Sequence, residues 1–325
     1  MSEKECYAFK HSSEDIRRSS TSGGAFSALA EMVLEQGGVV FGASLMPNMS
    51  VDHRMIDIFE DLALLRGSKY LQSNTGNTFQ QAKKELASGR FVLFAGTPCQ
   101  ISGLKRYLGE YADSDYLLTC DIICHGVSSP MIWREYVKYK ENIYGGKVTA
   151  ACFRDKFGYG WSSCKETITV CSEKFASDDY TKIFYDHEAM RPSCYHCCFT
   201  NLDRIGDLTL GDFWGVDTAH PEIYDEIGVS LILVNSKKGR ILLNGIGTKG
   251  KITPAKVSET RQPQLYKPVK EPATRPWFWR IYYSKGIEGV IKANSSVSGI
   301  SLVRNLIHNS KTIAKQILCK IRGSE

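Results

Sequence analysis

The chain has 325 residues, and its hydrophobic fraction of 42% is enough to form the core of one large or two modest globular domains. This composition excludes the disordered and fibrous classes of protein. The formal net charge of +6 is a mild excess, which suits an enzyme that handles phosphorylated ligands but falls short of the basic surface of a nucleic-acid binder.

Targeting signals and cysteine usage predict a cytoplasmic protein. The N-terminal segment lacks an apolar core of signal-peptide length, and no stretch approaches the roughly 18 apolar residues that a membrane span needs. In a reducing compartment, metal ligation, redox chemistry or burial accounts for the 11 cysteines better than disulfides do. Cys152, Cys164 and Cys171 lie in strand-like runs, so we predict that they are core thiols, and Cys120 is interpreted in the same way.

Predicted strands and helices alternate over the first half of the chain. A helix follows Ser22, where apolar residues recur at helical spacing as far as Gly37. The next elements are a strand at 39–45, a helix at 78–88, a strand at 91–95, a helix at 100–108 and a strand at 116–123. This alternation predicts an α/β core with a mainly parallel sheet. The runs VTAACF and ETITVC, between residues 147 and 171, predict an inserted antiparallel hairpin, which leaves a mixed α+β class open.

A proline-rich segment divides the chain. Residues 261–276 contain four prolines and are predicted to form a linker between a catalytic domain, 1–260, and a helical C-terminal tail, 277–325. The tail has basic residues between apolar ones, so it either docks on its own protein or lies on a membrane surface as a basic amphipathic helix. The apolar positions are Ile300, Val303, Leu306, Ile307, Ile313, Ile317 and Ile321.

The strongest local motif is the C-x-x-C pair Cys194 and Cys197 in RPSCYHCCFTN, which lets two thiolates converge on one ion or cluster. Cys99 and Cys124 are the expected partners, because each follows a hydrophobic strand and so lies at the carboxyl edge of the predicted sheet. Four thiolates suit zinc or an iron-sulfur cluster, and geometry alone does not separate the two. Cys198, next to the pair, is a competing ligand.

A second motif, SSTSGGAF, places hydroxyls and glycines at the start of a helix. The free N–H groups and the positive end of the helix dipole make such a start an anion site. Ser22, Gly23 and Gly24 are predicted to bind the cofactor, and the two glycines are expected to face it. A capping Ser22, with glycines that serve only tight packing, is the alternative interpretation.

The run RGSKYLQSNTG, residues 66–76, is dense in hydrogen-bond donors. Arg66 and Lys69 could neutralise a pyrophosphate, and Tyr70 could stack on a ring. A solvated turn is the alternative. If the helix start and this run bind one ligand, they must lie on the same side of the fold.

Seven short motifs occur in a specific order: STSGGAF, RGSKYLQS, GTPCQISGL, CHGVSSP, FRDKFGYGW, RPSCYHCCF and GDLTLGDFWG. Across about residues 5–235 this order resembles the family of coenzyme F420 hydrogenase and dehydrogenase beta subunits, and in particular its shorter bacterial members associated with surface-polysaccharide biosynthesis. The resemblance implies FAD at the SGG and GSKY segments and a 4Fe-4S cluster held by Cys99, Cys124, Cys194 and Cys197.

The sequence departs from the family pattern at two places. Larger relatives carry a ferredoxin-like N-terminal segment, whereas Cys6 stands alone here, so electrons are expected from a separate donor protein or a soluble hydride donor. Ser128 replaces the usual proline after CHGV, a small loss of loop rigidity.

Polar residues beside these motifs are candidates for chemistry. His125, Asp155 and Lys156 could deliver protons or fix the substrate, although structural hydrogen bonds are the simpler interpretation of each. A flavin edge could rest on Asp212 and Trp214 of GDFWG, with a buried core tryptophan as the alternative.

The expected function is that of an oxidoreductase. Electrons would pass through the cluster and FAD between an external donor, such as ferredoxin or reduced deazaflavin, and a small-molecule or sugar acceptor. The cluster and the flavin are expected to lie close together at the carboxyl edge of the sheet. The alternatives are a non-catalytic electron-relay subunit of a larger complex and a zinc-stabilised binding protein.

Overall fold

A computed structural model of the protein describes residues 4–295. Its strands are β1 Cys6–His11, β2 Val39–Leu45, β3 Val51–Ile56, β4 Val92–Gly96, β5 Leu117–Ile122, β6 Val148–Cys152, β7 Glu166–Val170, β8 Glu173–Ser177, β9 Leu208–Asp212, β10 Ser230–Val234 and β11 Gly250–Ala255. Its helices are α1 Glu14–Ser19, α2 Ala25–Glu35, α3 Leu62–Leu65, α4 Thr78–Ala87, α5 Pro98–Leu108, α6 Pro130–Tyr144, α7 Asp179–Tyr185, α8 Val216–Ala219, α9 Lys237–Gly245 and α10 Arg275–Ser295, the last kinked at Gly286.

The main sheet has eight strands in the order β11-β1-β10-β9-β5-β4-β2-β3. Its centre, β9-β5-β4-β2, is parallel, and the strands on both sides pair antiparallel. The predicted parallel core is therefore confirmed, and the antiparallel flanks make the class mixed. Parallel strands connected through helices bring their carboxyl ends to one edge of the sheet, which is where α/β folds bind ligands.

Helices cover both faces of this sheet. Successive side chains of a strand point to opposite faces, so Val40 packs with α2 and α9 on one side, whereas Val39 and Phe41 pack with α4 and α5 on the other. The strands thus read as continuous apolar runs because both of their faces are buried.

The predicted inserted hairpin is confirmed as β6 and β7, and β8 extends it to a three-stranded antiparallel sheet. Glu166 ties this sheet to two helices, since its buried carboxylate accepts hydrogen bonds from Tyr136 Oη at 2.7 Å and from the backbone N–H of Tyr180 at 3.1 Å. The hairpin therefore has a fixed position beside the main sheet.

Two predictions about cysteines have different outcomes. Cys120 is buried in β5, as expected of a core thiol. The prediction that Cys152, Cys164 and Cys171 are core thiols is wrong, because all three are exposed. Cys152 ends the edge strand β6, and Cys171 lies in the turn between β7 and β8, so neither position has a second layer above it.

The C-terminal region is described only in part. Leu265 and Val269, within the proline-rich segment, are buried in hydrophobic clusters of the main body. The predicted amphipathic helix from Ile300 to Ile321 lies outside the described residues. Over residues 4–295, no helix combines the length and the apolar character needed to cross a membrane.

Candidate functional site

A cavity of about 590 Å³ opens at the carboxyl edge of the parallel strands β4 and β5. The N-terminus of α2 and segments 65–73 and 191–200 complete its wall. The predicted site residues that line it are Ser22, Gly24, Arg66, Lys69, Tyr70, Cys99, Cys124, His125, Cys194, Cys197 and Asp212. Gly23, Asp155, Lys156 and Trp214 are not part of the wall. The cysteine motifs and the glycine-opened helix thus face one enclosed space.

Two of the four cysteines follow neighbouring strands. Cys99 lies in the first turn of α5, where Thr97 and Gln100 form a capping box and Thr97 Oγ1 lies 3.1 Å from the Cys99 sulfur. Cys124 lies just beyond β5, and its sulfur accepts a hydrogen bond from the backbone N–H of Gly126 at 3.3 Å. Because β4 and β5 are parallel, both thiols reach the same edge of the sheet.

The C-x-x-C pair lies in a short 3₁₀ turn, Pro192–His196, and the residue after it. This turn lies against the loop after β5. The approach is so close that a Cβ placed on Gly126 would lie 3.2 Å from the Cβ of Cys194. Gly126 also has a φ of +103°, a conformation that side chains disfavour. Glycine at this position therefore lets Cys194 approach the loop that carries Cys124.

The neighbouring thiols affect the ionisation of Cys124. Burial, with smaller contributions from thiolates at Cys99, Cys194 and Cys197, raises the pKa of Cys124 to about 12. As the side chains stand, no group of three or more His, Cys, Asp or Glu within residues 4–295 could hold a metal ion. The donor set is nevertheless the one that soft metal centres use, and a coordinated thiol loses its proton despite burial. The chemistry of these four side chains therefore fits a metal centre with cysteine ligands.

A buried ion pair joins the two cysteine segments. Arg204 and Asp121 have side chains only 1% and 0% exposed, and Arg204 Nε donates to Asp121 Oδ1 at 3.1 Å. The same guanidinium donates to the carbonyls of Phe199 and Ile122, at 2.9 and 3.0 Å. Phe199 follows the C-x-x-C pair and Ile122 precedes Cys124, so Arg204 fixes both segments without touching a thiol.

A second arginine holds the segment before the C-x-x-C pair. Arg275, at the start of α10, donates from Nη1 to the carbonyl of Met190 at 2.9 Å and to Tyr195 Oη at 2.7 Å. Its guanidinium also lies 5.2 Å from the centroid of the Tyr195 ring. The start of α10 thus positions the turn that carries Cys194.

At the other end of the cavity, α2 begins with Gly24 in the left-handed region, φ +90°, and no side chain caps it. Ser22 does not cap the helix, since its hydroxyl donates to the carbonyl of Val229 at 2.6 Å. The first-turn N–H groups of a helix have no intrahelical acceptor, and here Gly24, Ala25 and Phe26 at the start of α2 line the cavity.

Gly23 serves packing instead of facing a ligand. A Cβ on Gly23 would lie 2.3 Å from the carbonyl oxygen of Phe9 and 2.6 Å from the nitrogen of Ser230, both backbone atoms of the main sheet. The expectation that this residue faces the cavity is wrong. Glycine is required at position 23 because the backbone just before α2 lies directly against β1 and β10.

Two basic side chains, Arg66 and Lys69, lie beside the helix start and line the cavity. Lys69 Nζ donates to the carbonyls of Leu65 and Arg66, at 3.1 and 2.7 Å, and Arg66 Nε donates to Ser27 Oγ at 3.0 Å. Burial lowers the pKa of Lys69 to about 7. An anion in the cavity would favour the charged form of both side chains.

Tyr70 lies in an aromatic cluster. Its ring stacks on Phe184 with centroids 4.3 Å apart, and its hydroxyl lies 2.9 Å from Tyr185 Oη. One face of the Tyr70 ring is thus already covered by protein. Burial raises the pKa of both tyrosines, so each hydroxyl keeps its proton at physiological pH.

His125 lines the cavity next to Cys124 and contacts Tyr185 edge to face, with ring centroids 6.3 Å apart. Burial, and to a smaller extent the nearby His187, lower the pKa of His125 to about 4. The imidazole is therefore neutral near pH 7 and can accept or donate a hydrogen bond but carries no charge.

Sequence reasoning missed Arg154, which organises the GDFWG segment. Arg154 holds Asp212 through two hydrogen bonds of 2.8 and 2.9 Å, and Trp161 Nε1 donates to the same carboxylate at 2.9 Å. Burial disfavours the guanidinium cation, but Asp212 outweighs it and keeps the pKa of Arg154 above its ordinary value. Trp214 stacks on Trp161 at 4.7 Å and behaves as a packing residue. The only feature of the sequence that indicates a role for Arg154 is its position as a charged residue directly after the buried Phe153.

The two other polar residues of the FRDK motif make structural hydrogen bonds. Asp155 accepts from the N–H of Phe157 and from Thr167 Oγ1, both at 2.9 Å. Lys156 Nζ donates to the carbonyl of Ser22 at 3.0 Å, and burial lowers the pKa of Lys156 to about 7. Arg154 Nη2 likewise donates to the carbonyl of Thr21 at 3.0 Å. The FRDK loop thus holds the segment before α2 in place from outside the cavity.

Comparison with known proteins gives one family match. Residues 89–260 match the family described as the C terminus of the coenzyme F420 hydrogenase/dehydrogenase beta subunit. A search of the curated proteins finds no significant match. Among solved structures, the chain is similar to one in the F420-reducing NiFe hydrogenase complex from Methanosarcina barkeri, with 16% identity and a TM-score of 0.56 over 87% of this chain and 94% of that one. At this identity the likeness shows a shared fold.

Proposed function

Because the chain belongs to the family of coenzyme F420 hydrogenase/dehydrogenase beta subunits, we propose that it is a flavin-dependent oxidoreductase that moves electrons between an external donor and an organic acceptor. The observation that carries this proposal is the single cavity, in which four cysteines lie at one part of the wall and a helix start with two cations lies at another. A redox enzyme that couples a metal centre to an anionic organic cofactor needs these two parts in one space.

Cys99, Cys124, Cys194 and Cys197 would hold a 4Fe-4S cluster, and the N-terminus of α2 with Arg66 and Lys69 would hold the pyrophosphate of FAD. When bound, the cluster supplies one-electron transfer and FAD supplies hydride-level chemistry. The protein's part is to bind and orient. The helix dipole and the cations offset the phosphate charge, and the apolar stretches of the wall exclude water.

His125 is the proposed group for handling a proton at the acceptor. Its neutral imidazole lines the cavity beside the thiols and touches Tyr185, whose hydroxyl lies 2.9 Å from Tyr70 Oη. A neutral ring can donate a hydrogen bond to a bound acceptor, or accept one from it, without adding a net charge to the cavity. By contrast, Arg154 and Lys156 are proposed to position the Thr21–Ser22 segment from outside, and Asp155 is proposed to hold the FRDK loop through Phe157 and Thr167.

The electron donor is proposed to be a separate protein. The structurally similar chain belongs to an F420-reducing NiFe hydrogenase complex, and an analogous partner would deliver electrons at the exposed side of the thiol group, where Cys99 is accessible. As for the acceptor, we propose an organic small molecule or sugar, in keeping with the short family members of surface-polysaccharide biosynthesis.

The decisive experiment is purification without oxygen, followed by absorption spectroscopy and analysis of iron, sulfide and flavin. We expect a coloured protein with one flavin and about four iron and four sulfide per chain, as one Cys-ligated cubane requires. A colourless protein with one zinc would instead establish the zinc-stabilised binding protein. Flavin and cluster without turnover of any acceptor would identify an electron-relay subunit.

The affinity for FAD is expected to depend on pH through Lys69. Its ammonium is charged below pH 7, the pKa to which burial lowers it, so anion binding is strongest there and weakens as the pH rises. Between pH 6 and pH 8 the dissociation constant should rise about tenfold, provided that the bound phosphate keeps the lysine protonated. A titration that follows the fluorescence of the flavin measures this dissociation constant at each pH.

The Lys69→Met variant should bind FAD weakly with a flat pH profile. A matched control is Lys138→Met, which removes an exposed lysine on α6 away from the cavity. A wild-type profile that stays flat from pH 6 to pH 8, or that keeps its slope in Lys69→Met, contradicts the assignment of Lys69 to the phosphate site.

A further inference from the structure

Two tyrosines whose hydroxyls lie side by side form part of the cavity wall. Tyr70 and Tyr185 both line the cavity, and their hydroxyl oxygens are 2.9 Å apart. We call these two residues the tyrosine pair. One hydroxyl of such a pair donates its hydrogen to the other, so the hydrogen of the second hydroxyl is left for a further acceptor. The rings are held in place, because Tyr70 stacks on Phe184 at 4.3 Å and meets Tyr185 edge to face at 5.6 Å.

The ion pair beside the tyrosine pair has no net charge. Its cation is Arg154, which acts against the rise in pKa that burial causes at both tyrosines. The guanidinium of Arg154 is held by the carboxylate of Asp212 through hydrogen bonds of 2.8 and 2.9 Å. His125, whose ring contacts Tyr185 edge to face, is neutral as well. This part of the wall therefore offers hydrogen-bond donors and little net charge.

Neutral donors of this kind suit an oxygen that is neutral when it binds and becomes negative during the reaction. A permanent anion such as a phosphate gains more from cations and a helix start, which Arg66, Lys69 and α2 provide. A carbonyl oxygen accepts an ordinary hydrogen bond in the ground state. The bond becomes about twice as strong when that oxygen takes up negative charge, so the donors stabilise the transition state more than the bound acceptor.

We propose that the tyrosine pair binds the carbonyl oxygen of the organic acceptor, which makes that acceptor an aldehyde or a ketone. The inference rests on the function proposed above, because a reduced flavin is the source of the hydride. The carbonyl carbon gains this hydride with its two electrons, so a C–H bond forms, the C=O π bond breaks and its electrons stay on the oxygen. The oxygen then takes a proton from the tyrosine pair to give an alcohol, and the pair regains a proton from water.

The test uses 4-nitrophenol, because its phenolate oxygen resembles the negative oxygen that forms on the carbonyl. Isothermal titration calorimetry of the full chain, purified without oxygen, measures the dissociation constant at a pH where the probe is ionised. Tyr185→Phe removes the hydroxyl and keeps the ring, so it should weaken binding about 10- to 100-fold, the effect of one lost hydrogen bond to a charged group. The matched control is Tyr107→Phe, whose ring is 50% exposed and does not line the cavity. A second probe, 4-nitrotoluene, has no oxyanion and should bind wild type and Tyr185→Phe equally.

Circular dichroism checks first that each variant is folded, and Tyr70→Phe, expected to weaken binding in the same way, replaces Tyr185→Phe if the latter is not. Equal affinity of wild type and Tyr185→Phe for the phenolate overturns the proposal. Binding that is lost in Lys69→Met but kept in Tyr185→Phe also overturns it, because the probe would then occupy the phosphate site.

The flavin content of each preparation separates this proposal from the function on which it rests. Loss of flavin from Tyr185→Phe overturns the assignment to the acceptor, since the tyrosine pair would then bind the cofactor. A wild-type protein that holds no flavin lacks the source of the hydride and contradicts the proposed function together with this inference. A flavoprotein whose phenolate binding does not depend on Tyr185 contradicts this inference alone.

Discussion

Replacing Cys194 with alanine is expected to leave FAD bound while the rate of flavin reduction by reduced ferredoxin falls by more than about 100-fold, since even outer-shell changes at metal centres cost 10- to 100-fold. The sulfur of Cys194 lies beside the Gly126 loop, at the cysteine part of the cavity wall, whereas the phosphate-binding groups lie at another part. Flavin retention and electron delivery should therefore separate. Stopped-flow absorbance of the flavin measures the rate.

Two controls accompany this variant. Cys171→Ala removes an exposed thiol in the turn between β7 and β8, and ferredoxin should reduce the flavin of this variant at the wild-type rate. A hydride donor that acts directly on the flavin should reduce Cys194→Ala almost normally. If ferredoxin reduces Cys194→Ala as fast as wild type, the thiols have a structural role and the electron path proposed here is wrong.

Arg204→Met is expected to lower the free energy of unfolding by about 3–5 kcal/mol, because it leaves the fully buried carboxylate of Asp121 without its guanidinium partner and, among the described residues, with only the N–H of Gly206 as a hydrogen-bond donor at 2.7 Å. The same change frees the carbonyls of Phe199 and Ile122, so metal retention should fall as well. Urea unfolding without oxygen measures the stability, and iron analysis measures the retention. The exposed pair Arg261 and Asp217 offers the control, since Arg261→Met should cost less than about 1 kcal/mol.

A double variant separates charge burial from fold disruption. Asp121→Asn/Arg204→Met removes both charges and should recover part of the lost stability, since no unpaired charge then remains buried. Metal retention should stay low in the double variant, because the contacts to Phe199 and Ile122 are still missing. A double variant less stable than the sum of the two single variants would contradict the account of a coupled ion pair.

The central fold was predictable because its strands are distinct in the sequence. Val39, Val92 and Leu117 begin apolar runs whose two faces are both buried, and the helical periods between them fix the crossovers. Given parallel strands, Cys99 and Cys124 had to reach one edge of the sheet. Local pattern and topology agree here, so these parts of the candidate site follow from the sequence.

Other features depend on contacts between distant segments, which a local pattern does not contain. Gly23 is required because the backbones of β1 and β10 lie against it, and Ser230 of β10 is more than 200 residues away from Gly23 in the sequence. Arg154 pairs with Asp212, which is 58 positions away, and the FRDK motif alone does not indicate this contact. Cys152 has strand periodicity, but its strand is an edge, and an alternating pattern does not say whether a second layer covers it.

The ion pair between Arg204 and Asp121 bears on the lifetime of the protein in an aerobic cell. Because Arg204 holds both cysteine segments, we expect the chain to stay folded when the proposed cluster is absent, so that loss of the cluster would not expose the core to proteases. Such a chain could take up iron and sulfide again without being synthesised anew.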